Sequence, residues 1–144
     1  MGKKRIVKKS GRTVDQGLRA RSLARVPKKR IVHGVLHIQS TYNNTIVSLF
    51  DLEGKLLLWS SSGALGLTGA KKGTPFAAAK IGELLAEKGQ AMGLQGVDVI
   101  VKGVGSGRES AIRSFSAKGI EIYSIKDKTP VPHNGPRTKK ARRI

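Results

Sequence analysis

The stretch with the most chemistry in it is VDVIVKGVGSGRESAIRS, residues 97–114. Val97, Val99, Ile100 and Val101 form a short β-branched run that reads as a strand buried on both faces. Gly103, Gly105 and Gly107 alternate through the loop that follows, and Ser106 and Glu109 have the S-x-x-E spacing of a capping box opening a helix. Strand, glycine loop and helix start together make an anion site. Backbone N–H groups at a helix N-terminus point outward with partial positive charge, glycines let a phosphate approach the backbone, and Arg108 adds a forked cationic donor. The rival reading is a tight strand-to-helix connection with no ligand. Neither nucleotide motif is met: the last glycine of G-x-G-x-x-G would be Arg108, and no Lys follows Gly107 as a P-loop requires.

Other reactive residue types lead less far. Two-metal phosphodiester cleavage needs converging carboxylates. Here Asp51 and Glu53 fall at a hairpin, Asp98 in a strand, Glu109 at a helix start and Asp127 at a strand end. His33 and His37 lie four apart on one face of a strand with no carboxylate expected nearby, so His37 reads as structural or RNA-contacting and a zinc site is not expected. There is no Cys, so disulfides and thiolate metal sites are excluded. No cofactor and no metal is expected. Asn134-Gly135 is the dipeptide most prone to succinimide formation, because glycine leaves the attacking amide nitrogen unshielded; Asn134 is a candidate site of isoaspartate.

Elements must position these residues. Residues 31–39 read as a first strand in which Gly34 marks a bulge or close approach. Ser40–Asn44 is a turn, residues 45–51 a second strand, Leu52–Gly54 another turn, and residues 55–61 a third strand. The glycine-rich stretch 62–73, ending in Lys71 and Lys72, reads as a flexible basic loop. Thr74 as N-cap and Pro75 at the first position open a helix; Ala77, Ala78, Ile81, Leu84, Leu85 and Met92 keep helical spacing, and Gly93 is its favoured stop, with Gly89 the alternative. After strand four comes a helix with Ala111, Ile112 and Phe115 on its apolar face, stopped by Gly119, and residues 120–126 form strand five. The order β-β-β-α-β-α-β predicts one five-stranded mixed sheet covered by helices, a three-layer α/β domain over residues 31–127.

Charge then separates body from ends. Residues 1–30 hold twelve Lys/Arg and one acid, residues 128–144 six and none, and residues 31–127 ten Lys/Arg against eight acids, within a chain of net charge +19. A near-neutral body with a basic N-terminal extension (1–30) and a basic, Pro-containing tail (128–144) points to a polyanion partner. The N-terminal arm shows no sustained period and is expected to order only on its partner. A short helix around Arg19, Arg21 and Arg25, ended by Pro27, is the most it offers alone. Beyond it come Lys28, Lys29 and Arg30. The tail is held extended by Pro130, Pro132 and Pro136, then presents His133, Asn134, Arg137, Lys139, Lys140, Arg142 and Arg143. No apolar run nears the ~20 residues of a membrane span and no secretory leader is visible, so an intracellular, cytoplasmic protein is expected. Six aromatic residues are too few for an RRM-like stacking sheet.

Four motifs in register carry a resemblance: Tyr42-Asn43-Asn44-Thr45-Ile46-Val47; Lys72-Gly73-Thr74-Pro75-Phe76-Ala77-Ala78; Val101-Lys102-Gly103 with Gly105 and Gly107-Arg108-Glu109; and Asp127 through Thr129-Pro130 to Pro132-His133-Asn134-Gly135. From about Val35 to the C-terminus the chain resembles the universal small-subunit ribosomal protein eleven family in its bacterial type. The resemblance implies an RNase H-like core and a non-catalytic role in translation. It implies a place on the platform of the small subunit, bridging several rRNA helices near the mRNA exit and Shine–Dalgarno region. Implied neighbours are small-subunit proteins seven and eighteen, with initiation factor three as a further contact. Implied RNA-contacting residues are Asn43, Asn44, Lys72, Arg108, Arg113, His133, Asn134 and Arg137. The sequence departs from the family where Val104 and Ser106 replace frequent prolines and where Pro136 replaces a frequent Cys.

Overall fold

A computed structural model describes residues 16–143. Helix α1 spans Gln16–Leu23, followed by strands β1 (His33–Ser40), β2 (Thr45–Phe50) and β3 (Leu56–Ser61). Two 3₁₀ turns (Gly63–Leu65 and Gly69–Gly73) lead into helix α2 (Pro75–Ala91), strand β4 (Gly96–Lys102), helix α3 (Gly107–Ser116) and strand β5 (Glu121–Asp127). The sheet order is β3-β2-β1-β4-β5, with β1, β2 and β3 antiparallel and β1, β4 and β5 parallel. The α/β class, the five-stranded mixed sheet and the order of elements after Ile31 are those the sequence predicts.

Alternation in the strands sets the core. Leu36, Ile38, Val47, Leu49, Val97, Val99 and Val101 are buried and join one cluster with Ile81, Leu84, Leu85, Ala111 and Phe115 of the helices. α2 and α3 lie against each other, and Gly82 makes this close: a Cβ there would sit 2.1 Å from Ser114 Oγ and 2.7 Å from the Ala111 carbonyl oxygen. Thr74 caps α2, its Oγ1 accepting from Ala77 N at 3.3 Å. Gly93, at φ 84°, turns the chain out after the C-terminal cap at Met92. Gly34 is a close approach and not a bulge: a Cβ there would lie 3.0 Å from the Phe50 carbonyl oxygen, and the parallel β1–β4 register runs through it unbroken, with Gly34 opposite Val97.

Several expectations are corrected. β4 is not buried on both faces, since Asp98 and Ile100 are only half-buried, on the face opposite the core residues. The loop 62–73 is not a loose connection: Leu65 and Leu67 are buried, and Ser62 Oγ donates to the Lys72 carbonyl at 2.7 Å. The capping box is not made. Ser106 is itself helical in backbone and its hydroxyl donates to the Gly73 carbonyl at 3.1 Å. A tertiary acceptor has displaced the local one. The N-terminal arm does not wait for a partner over the described part: Leu23 and Val26 pack on the core, and Arg19 pairs with Glu87 at 3.0 Å. Residues 1–15, which hold the rest of that arm, lie outside the described residues.

Candidate nucleic-acid interface

One end of the sheet gathers most of the singled-out motifs. β1, β4 and β5 run parallel and end together at Ser40, Lys102 and Asp127, and β2 begins there at Thr45. Connections leave β1 toward one edge and β4 toward the other, so the two strands flank a topological switch point, where α/β sheets bind ligands. The Asn43–Asn44 turn, Lys71 and Lys72, the glycine loop and the N-termini of α2 and α3 all meet at this end.

The glycines are needed there for packing. A Cβ on Gly103 would lie 2.0 Å from the Ser40 carbonyl oxygen, on Gly105 2.3 Å from that of Thr41, and on Gly73 2.2 Å from that of Tyr42. Gly107 faces Thr45 Oγ1 and the Ala78 methyl. Gly105 N donates to the Ser40 carbonyl at 3.0 Å. The bare sides of these glycines therefore face protein, which is the tight-connection reading of the loop. Their effect on the interface is to draw three loops into one rigid rim. On the rim, Tyr42 is 79% exposed. The Asn44 Oδ1 atom is buried without a hydrogen-bond partner.

Arg108 turns inward. Its guanidinium donates to the Gly103 carbonyl and pairs with Asp127. Asp127 Oδ1 also accepts from Thr129 N at 2.8 Å and Thr129 Oγ1 at 2.6 Å, while Thr129 Oγ1 accepts from Gly103 N at 3.2 Å. These bonds hold the Asp127 carboxyl far below the usual carboxylate range, the Thr129 hydroxyl contributing most and Arg108 next. The unit latches the root of the C-terminal tail to the glycine loop. Beyond it, residues 130–143 are exposed and hold no regular element. The side chains of Arg137, Lys139, Lys140, Arg142 and Arg143 have no acceptor within the chain among the described residues.

The remaining cations divide. Arg113 is on the outer face of α3, 84% exposed and only loosely placed toward Glu109 at 3.8 Å. Lys29 pairs with Asp51 at the opposite end of the sheet, near Arg30, and Lys28 is exposed beside them. Arg21 and Arg25 lie along the β3 edge, away from the rim. Sequence reasoning passed over Lys102 and Lys128, which stand exposed at the rim, Lys128 N donating to the Val101 carbonyl at 2.9 Å. Their signal is position, since each is the last or next residue after a parallel strand. Burial, then Lys102 and Lys128, push the His37 imidazole below its ordinary value; its ring packs against Phe50 at 4.7 Å. His33 does have a carboxylate, Asp98 at 2.9 Å, contrary to expectation. Asp98 also accepts from Ser124 Oγ at 2.5 Å. Each acid weighed for metal chemistry that has a partner is paired with a cation, an imidazole, a hydroxyl or a backbone N–H. Among the described residues no cluster of three His, Asp or Glu gathers, and no helix is long and apolar enough to cross a membrane.

Comparison with known proteins covers most of the chain. The profile of the family described as Ribosomal protein S11 matches residues 34–143. A small ribosomal subunit protein uS11 of Solibacter usitatus (strain Ellin6076) is 55% identical over 118 residues, covering 81% of this chain and 87% of the relative. With the fold, the motifs and the match over most of its length agreeing, the chain belongs to the ribosomal protein S11 family, in its bacterial type, a family of ribosomal structural proteins and not of enzymes.

Proposed function

We propose that the protein is a structural constituent of the small ribosomal subunit that binds rRNA on the platform, bridging RNA helices near the mRNA exit. Its place is the ribosome, in the cytoplasm, and its work is in translation. The observation that carries the reading is the asymmetry of charge. A near-neutral body ends in a tail whose five terminal cations reach no acceptor among the described residues. Such cations neutralise phosphates and release counterions. The rim supplies the fixed part of the contact. Lys71, Lys72, Lys102 and Lys128 stand at the same end of the sheet as the Asn43–Asn44 turn, where the exposed Asn43 offers donors and an acceptor to a ribose 2′-OH. Gly103, Gly105 and Gly107 serve by shaping the rim, and Arg108 by aiming the tail. His133, Asn134 and Arg137 follow the latch directly and would meet RNA first. Arg19, Arg21, Arg25, Lys28, Lys29, Arg30 and Arg113 add a wider cationic surface over α1, the opposite sheet end and α3. Small-subunit proteins seven and eighteen and initiation factor three are the proposed protein neighbours.

The test is co-sedimentation of the purified chain with small-subunit rRNA. The full chain is expected to travel with the RNA in moderate salt, and a chain ending at Lys128 to be released at much lower salt. Binding unaffected by that truncation would overturn the role given to the tail, and no binding would overturn the function. Nuclease activity is a separate measurement: magnesium-dependent turnover abolished by Asp127→Ala would contradict the structural role.

A further inference from the structure

A cleft of about 490 Å³ opens between α1 and the free edge of β3. Its walls include Trp59, Leu57 and Pro27, with Arg21, Arg25 and Lys88 among its polar residues. Among the described residues three cations line it and no carboxylate does. Glu87, the neighbour of Lys88 in α2, is already engaged by Arg19 and Lys118 at 3.0 and 3.1 Å. Lys88 is the telling residue. It is 6% exposed, yet its ammonium finds no acceptor among the described residues. Its stem is buried while the residue lines the cleft, so the ammonium is partly desolvated without a partner, which is costly, and burial pushes the Lys88 ammonium below its ordinary value. Helical spacing explains why it is there: Lys88 follows Leu84 and Leu85 by four and three residues, on the face that packs inward. Trp59, the sole tryptophan, stands 58% exposed on an edge strand. An exposed indole and a partly desolvated, unmatched cation lining one cleft fit a ligand with a flat aromatic part and an anionic part. Within a chain that binds RNA, that ligand is a nucleotide.

We propose that this cleft is a nucleotide pocket that takes one unstacked rRNA nucleotide, its base against Trp59 and its phosphate on Lys88, Arg21 and Arg25. Aromatic stacking and cationic grooves are how proteins hold unpaired bases. The outer edge of β3 adds backbone donors and acceptors that the sheet leaves unpaired. The pocket lies apart from the rim, so the protein grips RNA at two places and can hold two RNA segments in fixed relation. The inference rests on the RNA-binding reading above and adds a second, specific contact to it.

The test uses the full chain and small-subunit rRNA, with co-sedimentation and tryptophan emission read in parallel. Trp59 is the only source of that emission. RNA is expected to quench it. Lys88→Met is expected to weaken RNA binding about tenfold, as loss of a charge-assisted contact does, and to raise the thermal midpoint of the free protein because an unpaired buried charge is gone. Trp59→Leu, at an exposed position, is expected to weaken co-sedimentation about tenfold as loss of a base stack does, with an unchanged far-UV circular dichroism spectrum. Adenosine monophosphate at millimolar concentration is expected to quench emission, and inorganic phosphate alone to leave it unchanged. Co-sedimentation with unaltered emission, together with full affinity in Trp59→Leu, overturns the pocket and leaves the RNA-binding reading standing. Absence of co-sedimentation overturns that reading and the pocket with it. Quenching by an acidic peptide but not by RNA would assign the cleft to a protein partner and overturn the proposal.

Discussion

Asp127 decides where the C-terminal arm points. Its carboxylate ties Arg108 to Thr129, and Thr129 in turn holds Gly103 N. Asp127→Ala raises the net charge by one, which by counterion release alone would tighten RNA binding slightly. The latch predicts the opposite: binding weakens by about three- to tenfold because a pre-aimed tail becomes a free one. Affinity measured for the full chain and for a chain ending at Lys128 separates the two, since the substitution is expected to lose its effect once the tail is gone. The pH dependence has a definite sign. The folded carboxyl titrates below its unfolded value, so the latch contributes fully above the usual carboxylate range and is lost only as pH falls through the lower folded value. It is therefore closed throughout the neutral range. Asn134 is the other residue with a consequence of its own. It holds φ 56°, the one positive φ of a non-glycine residue among the described residues, and it is exposed next to Gly135. Isoaspartate is expected to accumulate there in aged protein, detected by peptide mapping, and Gly135→Val is expected to suppress it by shielding the amide nitrogen. An unmodified Asn134 after prolonged incubation at neutral pH would remove the idea.

At the scale of elements, the glycine loop separates two kinds of glycine. Gly103 combines φ 103° with a neighbour at 2.0 Å, whereas Gly54 has φ 82° and open space. Gly103→Ala is expected to destabilise the fold by about 3 kcal/mol through forced backbone movement, and Gly54→Ala by about 1 kcal/mol through left-handed strain alone. Denaturant midpoints measure both, and equal losses would contradict the packing role of the loop. The sequence already shows most of the elements because their signals are local. Thr74-Pro75 followed by apolar residues at helical spacing suffices for α2, and alternation suffices for β1 and β2. What it does not show depends on distant partners. Ser106 looks like an N-cap until Gly73, 33 residues earlier, offers its carbonyl. His33 looks alone until parallel pairing of β1 with β4 brings Asp98 to it across 65 residues. Arg108 looks like a phosphate ligand until Asp127 takes its guanidinium. In each case a side chain with a plausible local role was claimed by a residue whose position only the tertiary fold decides.

At the scale of the molecule, the two basic ends behave differently, and the difference is physical. The N-terminal side carries Leu18, Leu23 and Val26 among its arginines, enough apolar surface for α1 to settle near α2, with Leu23 and Val26 on the core. The tail beyond Thr129 offers Val131 and prolines but no periodic apolar face, and it stays exposed. One end therefore packs on the body and keeps Arg21 and Arg25 exposed there, while the other stays extended with its cations unpaired among the described residues. This predicts unequal salt responses. Removing residues 129–144 takes away five Lys/Arg that have no acceptor among the described residues. If most of them meet phosphates, the slope of log affinity against log salt is expected to fall by about four. Replacing Arg19, which already pairs with Glu87, is expected to change that slope by well under one and instead to lower the thermal midpoint slightly, as a partly exposed ion pair contributes at most about 1 kcal/mol. Binding isotherms for both variants at several salt concentrations, alongside thermal melts, measure the contrast. A fall in slope of about one on replacing Arg19 would mean that Arg19 meets a phosphate and that its pairing with Glu87 does not withdraw it from RNA.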